Sequence, residues 1–379
     1  MAVTETEDRS ETGNRTETEK RTETGDGTQQ DPAALRDRVD RILAEFLAER
    51  MDRWEAAWGG DPVGRLLREL VLGDGKRLRP SLCYWGWRGA GGANDPPVLR
   101  AAASLELFHA FTLVHDDIMD GSATRRGKPS LHRAVAERAR DERDRRGDAE
   151  QYGTNIAILM GDLLLTWSDE LFHTADLAHR QRLSAMPALQ RMREETVAGQ
   201  YLDLRQRADG GSLASALRVA HYKSARYTVQ RPLEIGARLA DADPELINGY
   251  ERFGIPLGEA FQLRDDVLGV FGDSASTGKP AADDLREGKP TALMTLAGHK
   301  ATPAQVGELE RLHGNPDLDE SGADVLRSIA RETGALETVE QLITQRTHEA
   351  LDALDEAAVT VEARRALRGL AVSATTRAH

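Results

Sequence analysis

After residue 30, apolar residues recur at helical spacing along nearly the whole chain. Leu35, Val39, Ile42, Leu43, Phe46 and Leu47 fall on one helix face, and Asp31-Pro32 just before them is a start signal. Further helical runs are expected near 98–120, 153–173, 181–205, 213–240, 245–268, 289–298, 303–312, 322–330 and 335–371. Ala, Leu, Arg and Glu dominate them. No stretch alternates apolar and polar residues between turns as a half-buried strand would, so the expected fold class is all-α. Pro232 should kink or break the run that carries Lys223. Trp54, Trp58, Trp85 and Trp87 are read as core or dimer packing.

Two segments fall outside this pattern. Residues 1–30 are a repetitive Thr/Glu/Arg/Gly tract without aromatics, which cannot bury enough apolar surface to offset ordering entropy, so a disordered tail is expected. Residues 134–150 form a highly charged insertion, expected as a solvated helix or mobile loop. From 31 to 379 the chain is expected to be one helical domain.

Composition narrows the function. With 379 residues, 40% of them hydrophobic, the chain can build more than one ordinary core. A formal net charge of -13 argues against nucleic acid and anionic membranes as partners. Cys83 is the only cysteine, which excludes a disulfide framework and a cysteine zinc site, and SLCYW suggests a buried filler. No signal peptide starts the chain and no apolar run approaches the ~20 residues of a spanning helix, so a soluble cytoplasmic protein is expected.

The chemistry concentrates in Glu106–Lys128, ELFHAFTLVHDDIMDGSATRRGK. Asp116, Asp117 and Asp120 stand at i, i+1 and i+4 after an apolar run, where carboxylates are costly unless paired or metal-bound. Hard divalent ions, Mg²⁺ above all, suit them. Arg125-Arg126-Gly127 adds guanidinium forks that grip phosphate oxygens. A second apolar run ends in FQLRDDVLG, with Asp265 and Asp266, followed by Asp273, Gly278-Lys279-Pro280, Asp283-Asp284 and Glu287-Gly288-Lys289. Gly75-Lys76-Arg77-Leu78-Arg79-Pro80 offers another anion pocket, and His109 lies two turns before Asp116 on nearly the same stripe.

GKRLRP, ELFHAFTLVHDDIMD, RRG, GTNIAILMGD, GQYLDL, YKSARYT, FQLRDD and GKP-DDLREGKPT, in this order, resemble the trans-isoprenyl diphosphate synthases, or polyprenyl synthetases. Two positions depart from that pattern: Asp74 replaces a frequent glycine, and Gly269 stands where many members have the third aspartate of the second motif. Asp273, or Asp265 alone, would then serve that metal.

The resemblance implies roughly a dozen helices around a deep cavity, usually in a homodimer. Three Mg²⁺, with Mn²⁺ as an alternative, would bridge Asp116, Asp120 and Asp265 to an allylic diphosphate, with Asp117 and Asp266 in support. Arg125, Lys223, Lys279 and Lys289 would complete that cage. Isopentenyl diphosphate would be held by Gly75, Lys76, Arg79, His109 and Arg126. Lys223, Ser224 and Gln262 would stabilise the allylic cation. The implied activity is head-to-tail condensation to an all-trans prenyl diphosphate. Phe108, Phe111 and Thr112, at eight, five and four positions before Asp116, are the chain-length positions, and one aromatic beside a small residue resembles geranylgeranyl diphosphate synthases. Farnesyl and farnesylgeranyl diphosphate synthases are the nearest alternatives. A class I terpene cyclase would not need a second anion site, and a non-catalytic synthase subunit would have lost more of these residues.

Overall fold

The computed structural model describes residues 32–59, 63–141, 147–272 and 283–376. The proposed tail, Asp273 and Lys279 lie outside them. Within the described residues the protein is all-α. It opens with α1 (Pro32–Trp58), α2 (Val63–Leu72), α3 (Leu78–Gly89) and α4 (Pro96–Asp120). A short hairpin, β1 (Thr124–Arg125) and β2 (Lys128–Pro129), leads to α5 (Leu131–Asp141), α6 (Ala149–His173) and α7 (His179–Asp209). Then come α8 (Leu213–Val219), a π-helical segment (Ala220–Gln230), α9 (Arg231–Leu239) and α10 (Pro244–Phe271). The chain closes with α11 (Asp283–Arg286), α12 (Ala292–Lys300), α13 (Pro303–Leu312), α14 (Glu320–Glu332), α15 (Ala335–Glu356) and α16 (Val361–Thr375).

The structure departs from the sequence pattern where local chemistry overrides periodicity. The expected run 335–371 is two helices. Ala357 turns extended after α15, and Thr360 caps α16 by accepting a hydrogen bond from the Ala363 N–H. The charged insertion is partly structural: α5 buries Leu131, Val135, Ala136 and Ala139 and packs against α6. The expected absence of strands is corrected by the hairpin, whose two-residue loop, Arg126 (φ 52°) and Gly127 (φ 74°), is left-handed at both positions, as a tight right-twisted hairpin requires. One apolar run is also longer than expected. An 18-residue window of α4 reaches a mean hydropathy of 1.2, yet 67% of it is buried, as in a core helix.

The segment around Pro232 shows the expected disturbance in an unexpected form. Proline cannot donate to the turn before it, and its ring crowds that turn. Pro232 sits in the first turn of α9, and the preceding 11 residues wind as a π-helix. Glycines on both neighbours let this wider helix approach. A Cβ on Gly199 of α7 would lie 2.7 Å from the Lys223 nitrogen, and one on Gly258 of α10 would collide with Ala225.

Apolar packing surrounds this frame. Phe46, Leu43 and Leu47 of α1 join Tyr84, Leu107 and Leu164 in a core shared by α1, α3, α4 and α6. A second core lies between α10 and the C-terminal helices, around Leu263, Leu293, Leu326 and Val339. Cys83 is fully buried, and burial pushes its thiol up to about 12, so it is a filler as expected. Trp85 and Trp87 are core residues, Trp54 packs at its edge, and the Trp58 side chain lies outside the described set.

Helices α3 and α9 cross in backbone contact. A Cβ on Gly86 would meet the Leu233 carbonyl, and one on Gly236 the Cys83 carbonyl. Backbone cannot swing aside as a side chain can. Gly236→Ala should therefore lower stability by about 1–3 kcal/mol despite better helix propensity. Chemical denaturation checks this, and an unchanged or raised midpoint would show that the crossing can open without cost.

Candidate active site

The first aspartate cluster occupies the last turns of α4, which Gly121 ends in a left-handed cap (φ 64°). This is the negative end of the helix dipole, the wrong end for carboxylates. Asp265 and Asp266 stand near the corresponding end of α10. Asp116, Asp265 and Asp266 line one cavity of about 1220 Å³. Such a volume exceeds the usual small-ligand pocket.

Cations brought by other elements offset the unfavourable placement. The Lys223 ammonium donates to Asp116 Oδ1 (3.0 Å) and to Asp203 Oδ2 of α7 (2.7 Å). Burial alone would raise the Asp116 carboxyl, but Lys223, with Arg125 and Lys289 behind it, outweighs burial and holds it down at about 2. Burial likewise opposes the charge on Lys223, yet Asp116 and Asp203 raise its pKa. Asp120 is closed over by Arg207 of α7 (2.8 Å) and Lys289 (3.6 Å). Asp117 does not line the cavity as a metal ligand would. Its side chain is rotated about 100° from Asp116 and is gripped by the Nε (2.9 Å) and terminal nitrogen of Arg125.

The second cluster is the less compensated of the two. Burial, with Asp284 and Asp265 nearby, pushes Asp266 up to about 7, although Gln262 Nε2 donates to it at 2.8 Å. Gln262 Oε1 in turn accepts from Ser224 on the π-helix, so Ser224, Gln262 and Asp266 form a chain across the cavity wall. Lys289 bonds Glu287 (2.7 Å) and Asp284 (3.3 Å) as well as Asp120, and so joins the two acidic ends.

At the other end the cavity is basic. Lys76, Arg79 and Arg126 all line it. Gly75 leaves room for the side chain of Arg77. A Cβ on Gly75 would come within 2.6 Å of its guanidinium. Arg77 is only 2% exposed and left-handed (φ 49°), and it ties the loop to Asp40 of α1 (2.5 Å), Glu106 of α4 (2.7 Å) and the Gly73 carbonyl (3.0 Å). A buried guanidinium needs such complete pairing, and this one fixes the backbone from which Lys76 and Arg79 project. The Arg79 guanidinium lies 4.1 Å over the Tyr227 ring and donates to Thr228 (2.7 Å). His109 hydrogen-bonds the Tyr227 hydroxyl at 3.1 Å. Burial and the neighbouring arginines, Arg79 foremost, hold its imidazole neutral.

Of the chain-length positions, Phe111 and Thr112 line the cavity. Phe108 does not. It is 1% exposed, packed behind Phe111 (centroids 5.4 Å) and Tyr227 (5.8 Å), because it lies on the face of α4 turned to α7 and α9. The sequence assigned no role to Arg77, Glu106, Asp203, Arg207, Tyr227 or Thr228. Only the left-handed arginine and the unusual winding betray them, and neither is visible in composition.

The donor set fits Mg²⁺ held with diphosphate. The acids are hard carboxylate oxygens at two helix ends; Asp116, Asp265 and Asp266 line the cavity, while Asp120 lies behind Arg207 and Lys289 and Asp117 behind Arg125. Among the described residues these acids do not form a ready-made cluster of three ligands, since cations stand between them.

Comparison with known proteins agrees with this geometry. The polyprenyl synthetase family profile matches residues 62–330. The chain is 31% identical over 307 residues to a geranylfarnesyl diphosphate synthase of Aeropyrum pernix, covering 80% of this chain and 87% of that protein. It is 32% identical over 296 residues to a farnesyl diphosphate synthase of Geobacillus stearothermophilus, covering 75% and 90%. A crystal structure of geranylgeranyl pyrophosphate synthase from Corynebacterium glutamicum, complexed with isoprenyl diphosphate and magnesium, superposes with a TM-score of 0.85. Its identity is 39%, over 92% of this chain and 98% of that one. The chain belongs to the polyprenyl synthetase family and is a prenyltransferase of the prenyl diphosphate synthase kind.

Proposed function

We propose that this prenyltransferase condenses isopentenyl diphosphate with an allylic diphosphate and stops at the twenty-carbon geranylgeranyl diphosphate. The observation that carries the chain length is the wall below Asp116. Phe111 lines the cavity, braced edge-on by His115 with centroids 4.8 Å apart, while the smaller Thr112 is tied to Tyr227 (3.1 Å). One bulky ring beneath the acidic end closes the path of a growing chain.

In this reading Asp116, Asp120 and Asp265 would hold three Mg²⁺ for the allylic diphosphate, with Asp266 in support, while Asp117 holds Arg125 in place. Bound there, the metal neutralises charge that builds on the leaving diphosphate as the C–O bond breaks. Lys223, Lys289 and Arg125 lie within reach of the same oxygens, and Lys279 belongs to this set by sequence. Lys76, Arg79 and Arg126 hold isopentenyl diphosphate, with neutral His109 hydrogen-bonding beside them. Fixing that double bond against the allylic carbon makes the bond-forming step effectively unimolecular. The Ser224–Gln262 pair turns dipoles toward the cavity where the cation develops. The enzyme acts as a homodimer. Ile158 and Leu159 of α6 are 41% and 58% exposed beside an apolar hollow of about 400 Å³, the surface a second copy would cover. The sole cysteine and the buried α4 agree with a single helical domain from residue 31 working in the cytoplasm.

Products formed from isopentenyl diphosphate with geranyl or farnesyl diphosphate, resolved by chain length, test the assignment. A main product of fifteen or twenty-five carbons would overturn it. Asp116→Asn or Asp265→Asn should lower turnover at least ~100-fold at saturating Mg²⁺, since each removes charge that acts on the leaving group. Near-normal turnover in either would refute the metal assignment. Phe111→Ala leaves space that cores do not readily refill, so products should lengthen by one or more five-carbon units. An active, folded variant with unchanged products would place the floor elsewhere.

A further inference from the structure

The two acidic helix ends are built alike except at one position. On α4 the acids stand at i, i+1 and i+4, as Asp116, Asp117 and Asp120. On α10 the same spacing gives Asp265, Asp266 and Gly269. The space a side chain would enter at Gly269 is already filled. A Cβ built there collides with Oδ2 of Asp284 and lies 2.8 Å from its Cγ and 3.3 Å from its Cβ. Asp284 lines the same cavity as Asp265 and Asp266. Its carboxylate also relates to Asp120 through one group, because the Lys289 ammonium lies 3.3 Å from Asp284 and 3.6 Å from Asp120.

We infer that Asp284, carried by the separate helix α11, supplies the acidic group that α10 lacks at Gly269, and that Gly269 is glycine because this carboxylate needs its space. The inference rests on the metal–diphosphate reading of the site and deepens it. Asp284 completes a second acidic set that mirrors the first, but from another piece of chain. Its position depends on how that piece is tied down. The Lys289 N–H donates to the Asp284 carbonyl (3.2 Å), the Gly314 N–H to the Leu285 carbonyl (2.8 Å), and Arg286 Nε to the Leu318 carbonyl (3.0 Å). Gln206 of α7 bonds the Pro290 carbonyl.

Calorimetry with inorganic pyrophosphate, with and without Mg²⁺, tests this without turnover. Thermal unfolding of each variant serves as the folding control. Asp284→Asn keeps the shape and removes the charge. It should weaken Mg²⁺-dependent pyrophosphate binding by about 10-fold or more, the usual loss when an acid supporting a metal site is removed, at an unchanged unfolding temperature. Gly269→Ala touches no charge, and alanine favours a helix, yet it should weaken binding similarly by displacing Asp284. The double exchange Gly269→Asp/Asp284→Gly should recover most of what Asp284→Asn loses. Wild-type affinity in Asp284→Asn, or a double exchange that binds no better than Asp284→Asn, would overturn the inference. If the wild-type protein itself binds pyrophosphate equally well without Mg²⁺, the metal–diphosphate reading fails instead.

Discussion

Carboxylates gathered at the negative ends of two helices, inside one cavity, are the constraint on which the rest of this structure depends. Helix dipole, mutual repulsion and burial all oppose their charge, and only cations can offset three penalties at once. The protein brings those cations from other elements: Lys223 from the π-helix, Arg207 from α7, Arg125 from the hairpin and Lys289 from the loop after α11. Three of the four, all but Arg207, arrive through a local irregularity. The hairpin needs two left-handed residues, the π-helix needs glycines on both neighbours, and α11 needs Gly269 bare. Irregular backbone here is the means by which base is delivered to acid.

The opposite end of the cavity solves the reverse problem. Lys76, Arg79 and Arg126 line the cavity together, a basic set that suits an anion. Their rigidity comes from Arg77, whose guanidinium faces inward to Asp40 and Glu106. One arginine is spent on structure so that its neighbours stay available. In the proposed reading, this polarity of the cavity would separate a metal-dependent diphosphate site from a metal-free one.

Much of this was legible in the sequence, and the remainder was hidden for physical reasons. The long helices follow from periodicity, and the Asp116 and Asp265 clusters from acid placed directly after apolar runs. Asp203 and Arg207 escaped because an i,i+4 acid–base pair reads as an ordinary solvated helix face; only the fold turns that face inward toward Asp120 and Lys223. Arg77 looked like one more solvated base in GKRLRP. Spacing from Asp116 groups Phe108 with Phe111 and Thr112 but does not say which way α4 faces, and the Phe108 ring lies behind Phe111. For the acid absent at Gly269 the sequence offered Asp273 or Asp265 alone; that Asp284 fills the space beside the glycine depends on the fold and cannot be read from spacing.

The central claim is that the lysines now holding carboxylates are the ones that receive the allylic diphosphate. A crystal structure with Mg²⁺, isopentenyl diphosphate and an unreactive thio analogue of an allylic diphosphate tests it most directly. It should show the metal on Asp116, Asp120 and Asp265, with the Lys223 and Lys289 ammonium groups moved from their carboxylates to diphosphate oxygens. Lysines that keep their present partners, with the allylic diphosphate seated instead among Lys76, Arg79 and Arg126, would contradict it.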